Sequence, residues 1–218
     1  MIEAYKDPKT DFHEIVRGML GFTGHRTPVK TVNFGMLYGM GKDKLTRTLT
    51  DMGLDIDAMD FLELYHSKFP EARQMLDKYS NIASRNGEVR TILNRRNTFN
   101  YFEPRDAWGD IPALPYKKAI KEYGPNIVRA GTHKALNRVL QGSAADLMKK
   151  GMVEIYKAGI FDKIGYPFIT VHDELDQAYH EDYRQLFDEQ IEIMQNCIKL
   201  KVPILADMKV GSNWGEVG

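Results

Sequence analysis

The 218-residue sequence predicts an α+β fold, with a mainly helical first half followed by antiparallel strands. Across residues 11–84, apolar side chains recur at helical spacing in segments that end near glycine or proline. Asn86-Gly87 is a strong turn signal, and the β-branched and aromatic residues of 88–102 then predict a hairpin. A second apolar run, 166–179, is interrupted by an acidic turn and predicts another pair of strands.

The composition predicts a folded core that needs no disulfides. Hydrophobic residues make up 43% of the chain, and Cys197 is its one cysteine. A single cysteine excludes an internal disulfide framework and fits a reducing compartment. Because Cys197 lies in an apolar-periodic stretch, we interpret it as a buried structural thiol.

Charge and hydropathy restrict the partners. No stretch approaches the run of about 20 apolar residues that spans a membrane, and the N-terminus lacks the apolar region of a signal peptide. We therefore expect a protein without a membrane partner. The 30 basic and 30 acidic side chains cancel, so any nucleic-acid site must be a local basic patch.

Periodicity, glycine and proline predict the remaining elements. Pro112 and Pro115 predict an irregular connection over 107–123. A strand is predicted over 203–210. Helices are predicted over 2–7, 11–20, 26–38, 42–52, 56–69, 71–84, 126–158 and 181–200.

A four-residue repeat marks the first candidate site. Arg26, Lys30, Phe34 and Tyr38 share one face of a predicted helix that Thr27 can cap. Cations beside the free N–H groups of a helix start suit a polyphosphate, and the aromatic residues beyond them suit a sugar and a base. The spacing alone is equally compatible with an ordinary amphipathic helix with a charged start.

The identity of the residues in this segment is more informative than their spacing. The pattern R-x-x-x-K-x-x-N-F-G-x-x-Y-G, Arg26 to Gly39, resembles the nucleotide-binding helix in the fingers of family A DNA polymerases. In that family a D-x-H element precedes the helix, and its histidine lies near the incoming phosphates. The resemblance implies that Lys30 also offsets charge during catalysis. It implies that a dNTP is bound by His13, Arg26, Lys30, Phe34 and Tyr38.

An arginine-rich segment, 85–105, is the best basic patch in the chain. Arginines followed by aromatic residues are typical of a nucleic-acid surface, although a solvated hairpin explains them equally well. T-I-L-N-R-R resembles a T-x-x-G-R-R element of the family, which implies that Arg95 and Arg96 lie near template and primer. Asn94 replaces the glycine and tolerates the same left-handed turn.

Another repeat, His133, Asn137 and Gln141, places uncharged or weakly basic groups on one helix face. Amides suit base and sugar edges, although a polar stripe on a helix is usually just solvated. The segment His133 to Asp146 resembles the minor-groove helix of the family, which implies DNA contacts for all three residues. Many relatives have arginine in place of His133, and histidine there resembles the phage branch.

The second candidate site is V-H-D-E, at the tip of the predicted hairpin of 166–179. Adjacent carboxylates suit Mg²⁺, although an acidic pair at a turn is most often only a soluble turn. The pattern resembles the catalytic hairpin of the palm in family A polymerases. That resemblance implies that Asp173 binds Mg²⁺ in a two-metal site, that Glu174 supports it less directly, and that His172 lies near DNA.

The resemblance covers nearly the whole chain in matching order. It implies a mainly helical fingers subdomain joined to part of an antiparallel-sheet palm. Residues 1–12 correspond to the start of the junction between palm and fingers, 13–125 to the fingers with the basic hairpin, and 126–218 to the C-terminal palm with the catalytic hairpin.

One expected segment is absent from the 218 residues. In the family, a D-Y-S-x-x-E-like strand carries the other metal-binding aspartate, and the sequence contains no such strand. A two-metal site needs carboxylates from both sides. We therefore expect Mg²⁺ to be only partly bound by this chain, and a second polypeptide to carry the missing strand and the thumb.

The predicted function is template-directed addition of dNTP to a primer 3′ end on primer-template DNA, as one piece of a split DNA polymerase. The expected location is the cytoplasm of a bacterium or of a phage-infected host. The alternative is a non-catalytic remnant, or an excised fragment, that binds DNA or nucleotide. An upstream reading frame that ends in D-Y-S-x-x-E would favour the enzyme.

Overall fold

The computed structural model describes residues 11–19, 26–51, 53, 56–106 and 111–217. It divides into two compact units, which we call the N-terminal unit, Asp11–Gly142, and the C-terminal unit, from Ser143 onward. The division falls inside a helix, after Gly142. The predicted helix over 2–7 lies outside the described residues. None of the described helices is both long and apolar enough to cross a membrane.

Five of the described helices open the N-terminal unit, as the periodicity predicts. Apolar residues on their inner faces form one buried cluster around Leu45, Phe61 and Tyr65. Asp57 caps the fourth helix by accepting hydrogen bonds from the backbone N–H groups of Met59 and Asp60, which lower its pKa. The helices are α1 (Phe12–Met19), α2 (Arg26–Leu37), α3 (Lys42–Asp51), α4 (Ala58–Lys68) and α5 (Pro70–Asn86).

Small antiparallel sheets complete this unit. Strands β1 (Glu88–Arg90) and β2 (Arg96–Thr98) form the predicted hairpin, and Asn94 adopts the expected left-handed conformation with φ +67°. The hairpin is shorter than predicted. Strand β3 (Tyr101–Pro104) pairs instead with β4 (Leu114–Pro115) and β5 (Ile127–Arg129) in a separate sheet.

Two predictions in this region are wrong. Residues 116–123 form a helix, α6 (Tyr116–Tyr123), because the prolines lie outside it and Pro115 is its N-cap. The long helix predicted from Asn126 begins only at Ala135. The β-branched residues before it pair with β3, and Gly131 turns the chain with φ +69°. Tertiary pairing therefore overrides the helical pattern there.

Helix α7 (Ala135–Lys157) follows a 3₁₀ turn, Thr132–Lys134, and leads into the C-terminal unit. There, α8 (Phe161–Ile164), the hairpin of β6 (Ile169–Val171) and β7 (Glu174–Asp176), and α9 (Arg184–Asn196) surround a second core. A final turn of helix is α10 (Trp214–Val217).

The side chain of Cys197 is half-buried in this unit, and its thiol donates to the carbonyl oxygen of Leu147 at 3.7 Å. Burial raises its pKa, which suits a structural thiol rather than a nucleophile. The strand predicted over 203–210 does not form. No strand among the described residues lies beside this segment to pair with it.

The α+β class is confirmed: helices dominate, and the sheets that the described residues form are small and antiparallel. The subdomain boundary predicted at residue 125 stays a prediction, since the compact units are defined by packing rather than by function.

Buried Tyr65 provides a test of the helical core. Its hydroxyl has no hydrogen-bond partner among the described residues, and burial raises its pKa to about 12. The unfolded tyrosine ionises near pH 10, so folding stability should be lost as pH rises from about 10 to about 12. Between pH 8 and pH 11 we expect this loss to be about 1.4 kcal/mol smaller in Tyr65→Phe, because pH 11 lies one unit above the unfolded pKa and each unit corresponds to about 1.36 kcal/mol.

Urea unfolding followed by circular dichroism at pH 8, 10 and 11 would measure the effect. Tyr116→Phe is the control, because Tyr116 is exposed. Equal pH dependence in both variants would show that Tyr65 ionises in the folded core as easily as in water.

Candidate functional site

Helix α2 has a buried face and an exposed face. Val29, Val32 and Met36 are buried in the core of the N-terminal unit, while Lys30 is exposed and the Phe34 side chain is 39% exposed. This division follows from the 3.6-residue period of the helix. The core therefore fixes the direction in which the predicted phosphate-binding and base-binding residues point.

The start of α2 differs from the sequence-based picture in one respect. The helix already includes Arg26, so Thr27 lies within its first turn rather than at the N-cap position. The side chain of Arg26, one of the predicted phosphate ligands, lies outside the described part of the chain.

Three predicted nucleotide-binding residues lie together as a row of rings. Phe34 and Tyr38 stack, with ring centroids 5.9 Å apart and an interplanar angle of 21°. The His13 ring, from α1, meets the Phe34 ring edge-on at a centroid distance of 5.3 Å. These geometries are favourable for aromatic pairs and hold the rings in a defined arrangement.

The row continues to a residue far along the chain. Gln141 Nε2 donates a hydrogen bond to the Tyr38 hydroxyl at 3.3 Å, across 103 positions of sequence. Two patterns that were recognised separately, the nucleotide helix and the polar stripe of α7, thus meet at one place. Because Gln141 is exposed, the contact lies at the surface of the N-terminal unit.

Asn33 belongs to this cluster and was missed in the sequence. Its side chain is fully buried, and its Nδ2 lies 3.2 Å from His13 Nδ1. The available signal was an asparagine at a helix position, between Val29 and Met36, where the period calls for an apolar residue.

The other members of the polar stripe differ in setting. His133 lies in the 3₁₀ turn before α7 rather than on its helical face, which corrects the predicted stripe. Burial, and then the neighbouring Lys134, lower the pKa of His133. Asn137 is on α7 and half-buried, and its Oδ1 has no partner within the described ranges. A half-buried amide with an unpaired oxygen is unlike a solvated polar stripe, and it suits contact with a polar ligand.

The two predicted DNA-binding arginines of the first hairpin already have internal partners. Arg95 Nη2 donates to the carbonyl oxygen of Gly142 at 2.7 Å, and Arg96 Nε lies 2.7 Å from Glu88 Oε2. Hydrogen bonding from Arg90, and then the charges of Arg90 and Arg96, lower the pKa of Glu88. Exposed ion pairs of this kind contribute about 0–1 kcal/mol, so a phosphate can compete for Arg96.

The aromatic part of the predicted patch is largely internal. Phe99 is buried, and Arg138 lies over its ring with Cζ 4.3 Å from the centroid. Arg138 also donates to the carbonyl oxygen of Thr98 at 2.9 Å. Three aromatic residues follow the arginines in the sequence, Phe99, Tyr101 and Phe102, and of these only Tyr101 is largely exposed. Part of the patch therefore packs against α7 and stabilises the fold. Short sequence windows do not reveal this contact.

The hairpin of the C-terminal unit has the predicted strand–turn–strand form. Val171 pairs with Glu174, and His172 and Asp173 form the turn, with His172 at φ +54°. His172, Asp173 and Glu174 are all exposed. The turn therefore presents the Asp173 carboxylate to solvent, where a ligand can reach it.

These acids fit only part of a metal site. Across the described ranges, no group of three or more histidine, cysteine, aspartate or glutamate side chains is arranged to hold a metal. Mg²⁺ is commonly bound by one or two carboxylates together with substrate phosphates and water. Asp173, with Glu174 beside it, fits such a partial role.

Comparison with known proteins decides the family. The family model described as DNA polymerase family A matches residues 1–216. The chain belongs to DNA polymerase family A. Curated relatives agree: the DNA polymerase I of Caldicellulosiruptor bescii is 31% identical over 88% of this chain, and the thermostable DNA polymerase I of Thermus filiformis is also 31% identical over 88%. The Synechocystis DNA polymerase I is 29% identical over 99%.

The family A relatives are much longer than this sequence. The chain spans about a fifth of their length: 20% of the C. bescii and T. filiformis proteins and 22% of the Synechocystis protein. Among solved structures, the POL domain of Pol1 from M. smegmatis, in complex with DNA primer-template and dNTP, superposes with a TM-score of 0.69. That similarity covers 93% of this chain and 34% of the solved one at 24% identity, and it shows the polymerase-domain fold.

The first hairpin approaches α7 closely at Gly142, and substitutions there test this packing. A Cβ added at Gly142 would lie 2.7 Å from Thr91 Cγ2 and 3.3 Å from Arg95 Nη2, and Thr91 is buried. Gly142→Ala should therefore destabilise the protein by about 1–3 kcal/mol through overpacking. Gly151→Ala, on the same helix, meets no atom closer than 3.5 Å and should stabilise it by about 0.5–1 kcal/mol.

Chemical denaturation of the two variants beside the parent protein would measure both effects. The opposite signs make the comparison sharp, because helix propensity favours alanine at both positions. An equal gain at Gly142 would mean that the hairpin does not pack against α7.

Proposed function

We propose that the chain takes part in template-directed DNA synthesis, in which a dNTP is added to the 3′ end of a primer. The observation that carries this proposal is the surface cluster of His13, Phe34, Tyr38 and Gln141. It joins a row of rings suited to a nucleotide with an amide suited to DNA. Membership of family A, and a solved relative that is a complex with DNA primer-template and dNTP, support the same conclusion.

Residues of α2 and α1 would bind the nucleotide. Lys30 and Arg26 would hold the triphosphate at the start of α2, where free backbone N–H groups and the helix dipole also favour anions. His13 would add a hydrogen bond to the phosphates. Phe34 and Tyr38 would stack against the sugar and the nascent base pair.

Primer-template DNA would be bound by α7 and by the first hairpin. Asn137 and Gln141 offer amide groups that can donate to, or accept from, base and sugar edges in the minor groove. His133 would assist at the start of the same element, and His172 would do so from the second hairpin. Arg95 and Arg96 would contact phosphates, which requires them to exchange their present partners.

Family A polymerases generally use Mg²⁺, and Asp173 is the residue of this chain that would bind it, with Glu174 in support. When bound, the metal supplies positive charge that stabilises the reacting phosphate oxygens. In the reaction, the primer 3′ hydroxyl gives up its proton to solvent water and its oxygen bonds to the α-phosphorus. The bond from that phosphorus to the bridging oxygen breaks, and pyrophosphate leaves. Lys30 would offset the charge that develops on the departing phosphates.

The remaining carboxylates would come from sequence outside these 218 residues, in the same polypeptide or in a second one. The hairpin is consistent with a neighbouring strand: among the described residues β6 pairs only with β7, and Phe168 is 79% exposed beside it. An open sheet edge with exposed apolar residues is suited to pairing with another strand. A chain that never meets such a strand would be the non-catalytic binding remnant.

Lys30 and Asp173 should give different kinetic defects when the chain acts with a segment carrying D-Y-S-x-x-E. Lys30→Ala should raise KM for dNTP and lower kcat, with kcat/KM reduced about ten- to a hundredfold, because charge-assisted contacts contribute about 1.5–3 kcal/mol. Asp173→Ala should abolish turnover and leave DNA affinity nearly unchanged, because a metal-binding carboxylate acts on the reacting groups.

Steady-state primer extension with separate titrations of dNTP and DNA would measure these effects. Lys78→Ala is the matched control, because Lys78 is an exposed lysine on α5. A Lys30→Ala variant altered only in DNA affinity would show that α2 is not the nucleotide helix. If the chain bound DNA and dNTP but did not extend the primer, either alone or with the segment that carries D-Y-S-x-x-E, the result would favour the non-catalytic remnant.

A further inference from the structure

Asn33 is a buried amide on the core face of α2. None of its surface is exposed, and the helical neighbours on the same face, Val29 and Met36, are buried apolar residues. Burying an amide costs free energy unless its polar atoms are hydrogen-bonded. Its Oδ1 has no partner in the part of the chain that the structure describes. Packing alone therefore gives no reason for an asparagine here, where leucine would fill a similar volume.

Among the described residues, the Asn33 side chain has one hydrogen-bond partner, His13. The amide Nδ2 lies 3.2 Å from the imidazole Nδ1. An amide nitrogen can only donate, so Nδ1 must act as the acceptor. The proton of the neutral ring then lies on Nε2, which becomes its one N–H donor.

The same two helices also fix the plane of the ring. The edge of His13 meets the ring of Phe34, the residue that follows Asn33. Consecutive residues of α2 thus hold the imidazole through a hydrogen bond and an aromatic contact. Lys30 is exposed one turn earlier on the same helix.

We propose that Asn33 is a positioning residue that fixes the tautomer and orientation of His13, so that Nε2–H donates to the phosphates of a bound nucleotide. This inference rests on the proposed function of α2 as the nucleotide helix. Asn33 itself touches no substrate; it acts through the imidazole. A hydrogen-bonded partner that sets which ring nitrogen carries the proton is a common means of orienting a functional histidine.

Five proteins test the proposal: the parent chain, Asn33→Leu, Met36→Leu, His13→Gln and the double variant of Asn33→Leu with His13→Gln. Met36→Leu changes the same buried face of α2 and leaves the amide in place. Nitrogen-15 NMR of the imidazole rings reports the tautomer, and the signal lost in His13→Gln assigns His13. Titration with dATP and with inorganic tripolyphosphate then separates phosphate binding from recognition of the nucleoside. Thermal unfolding reports stability.

We expect the parent His13 to be protonated at Nε2 and unprotonated at Nδ1. Asn33→Leu should weaken the binding of both dATP and tripolyphosphate by about ten- to a hundredfold, as expected for a lost hydrogen bond to a charged group. It should keep or increase the melting temperature, because an apolar residue replaces an incompletely paired buried amide. Met36→Leu should bind both ligands like the parent, and Asn33→Leu should have no further effect in the His13→Gln background.

Three results would overturn the inference: a parent His13 protonated at Nδ1, unchanged tripolyphosphate affinity in Asn33→Leu, or equal losses in Asn33→Leu and Met36→Leu. Failure of the proposed function is distinguishable. In that case the parent chain would bind neither dATP nor tripolyphosphate, while the NMR measurement would still decide whether Asn33 sets the tautomer.

Discussion

The N-terminal unit depends on the burial of one face of α2. Val29, Val32 and Met36 pack into the cluster that contains Leu45, Phe61 and Tyr65. Burial of this apolar surface fixes the rotation of the helix about its axis, because each buried side chain contributes about 1.5–3 kcal/mol. The same packing therefore fixes the positions of the exposed side chains on the opposite face of α2. Lys30 and Phe34 are therefore presented by a rigid element and not by a loop, which is how binding groups are held with precision.

Local features of the fold were predictable because their causes lie within a few residues. The helices before Gly87 follow the apolar period, and Asn94 takes the left-handed turn that its side chain tolerates. The acidic hairpin was predictable for the same reason. Where the partner lies far away, prediction failed. Ile127–Arg129 forms a strand only because β3 is available beside it, and no described strand pairs with 203–210.

The candidate site divides along the same line. Lys30, Phe34, Tyr38, Asn137, Gln141 and Asp173 were found by spacing and by family resemblance. The meeting of Tyr38 with Gln141 was not, because no local window contains both. Asn33 was missed because its role depends on a histidine from another helix. The arginines of the hairpin looked free in sequence, yet Arg95 and Arg96 each bind an internal partner.

The hydrogen bond between Tyr38 and Gln141 closes a loop of about a hundred residues. The entropy of closing a long loop grows only with the logarithm of its length, so doubling that length costs about 0.6 kcal/mol. The segments in between can thus lengthen or shorten during evolution at little thermodynamic cost to the site they enclose. The cost falls on kinetics instead, since contacts between distant residues slow folding. A chain built in this way can vary its outer elements widely while the geometry at the two ends stays the same.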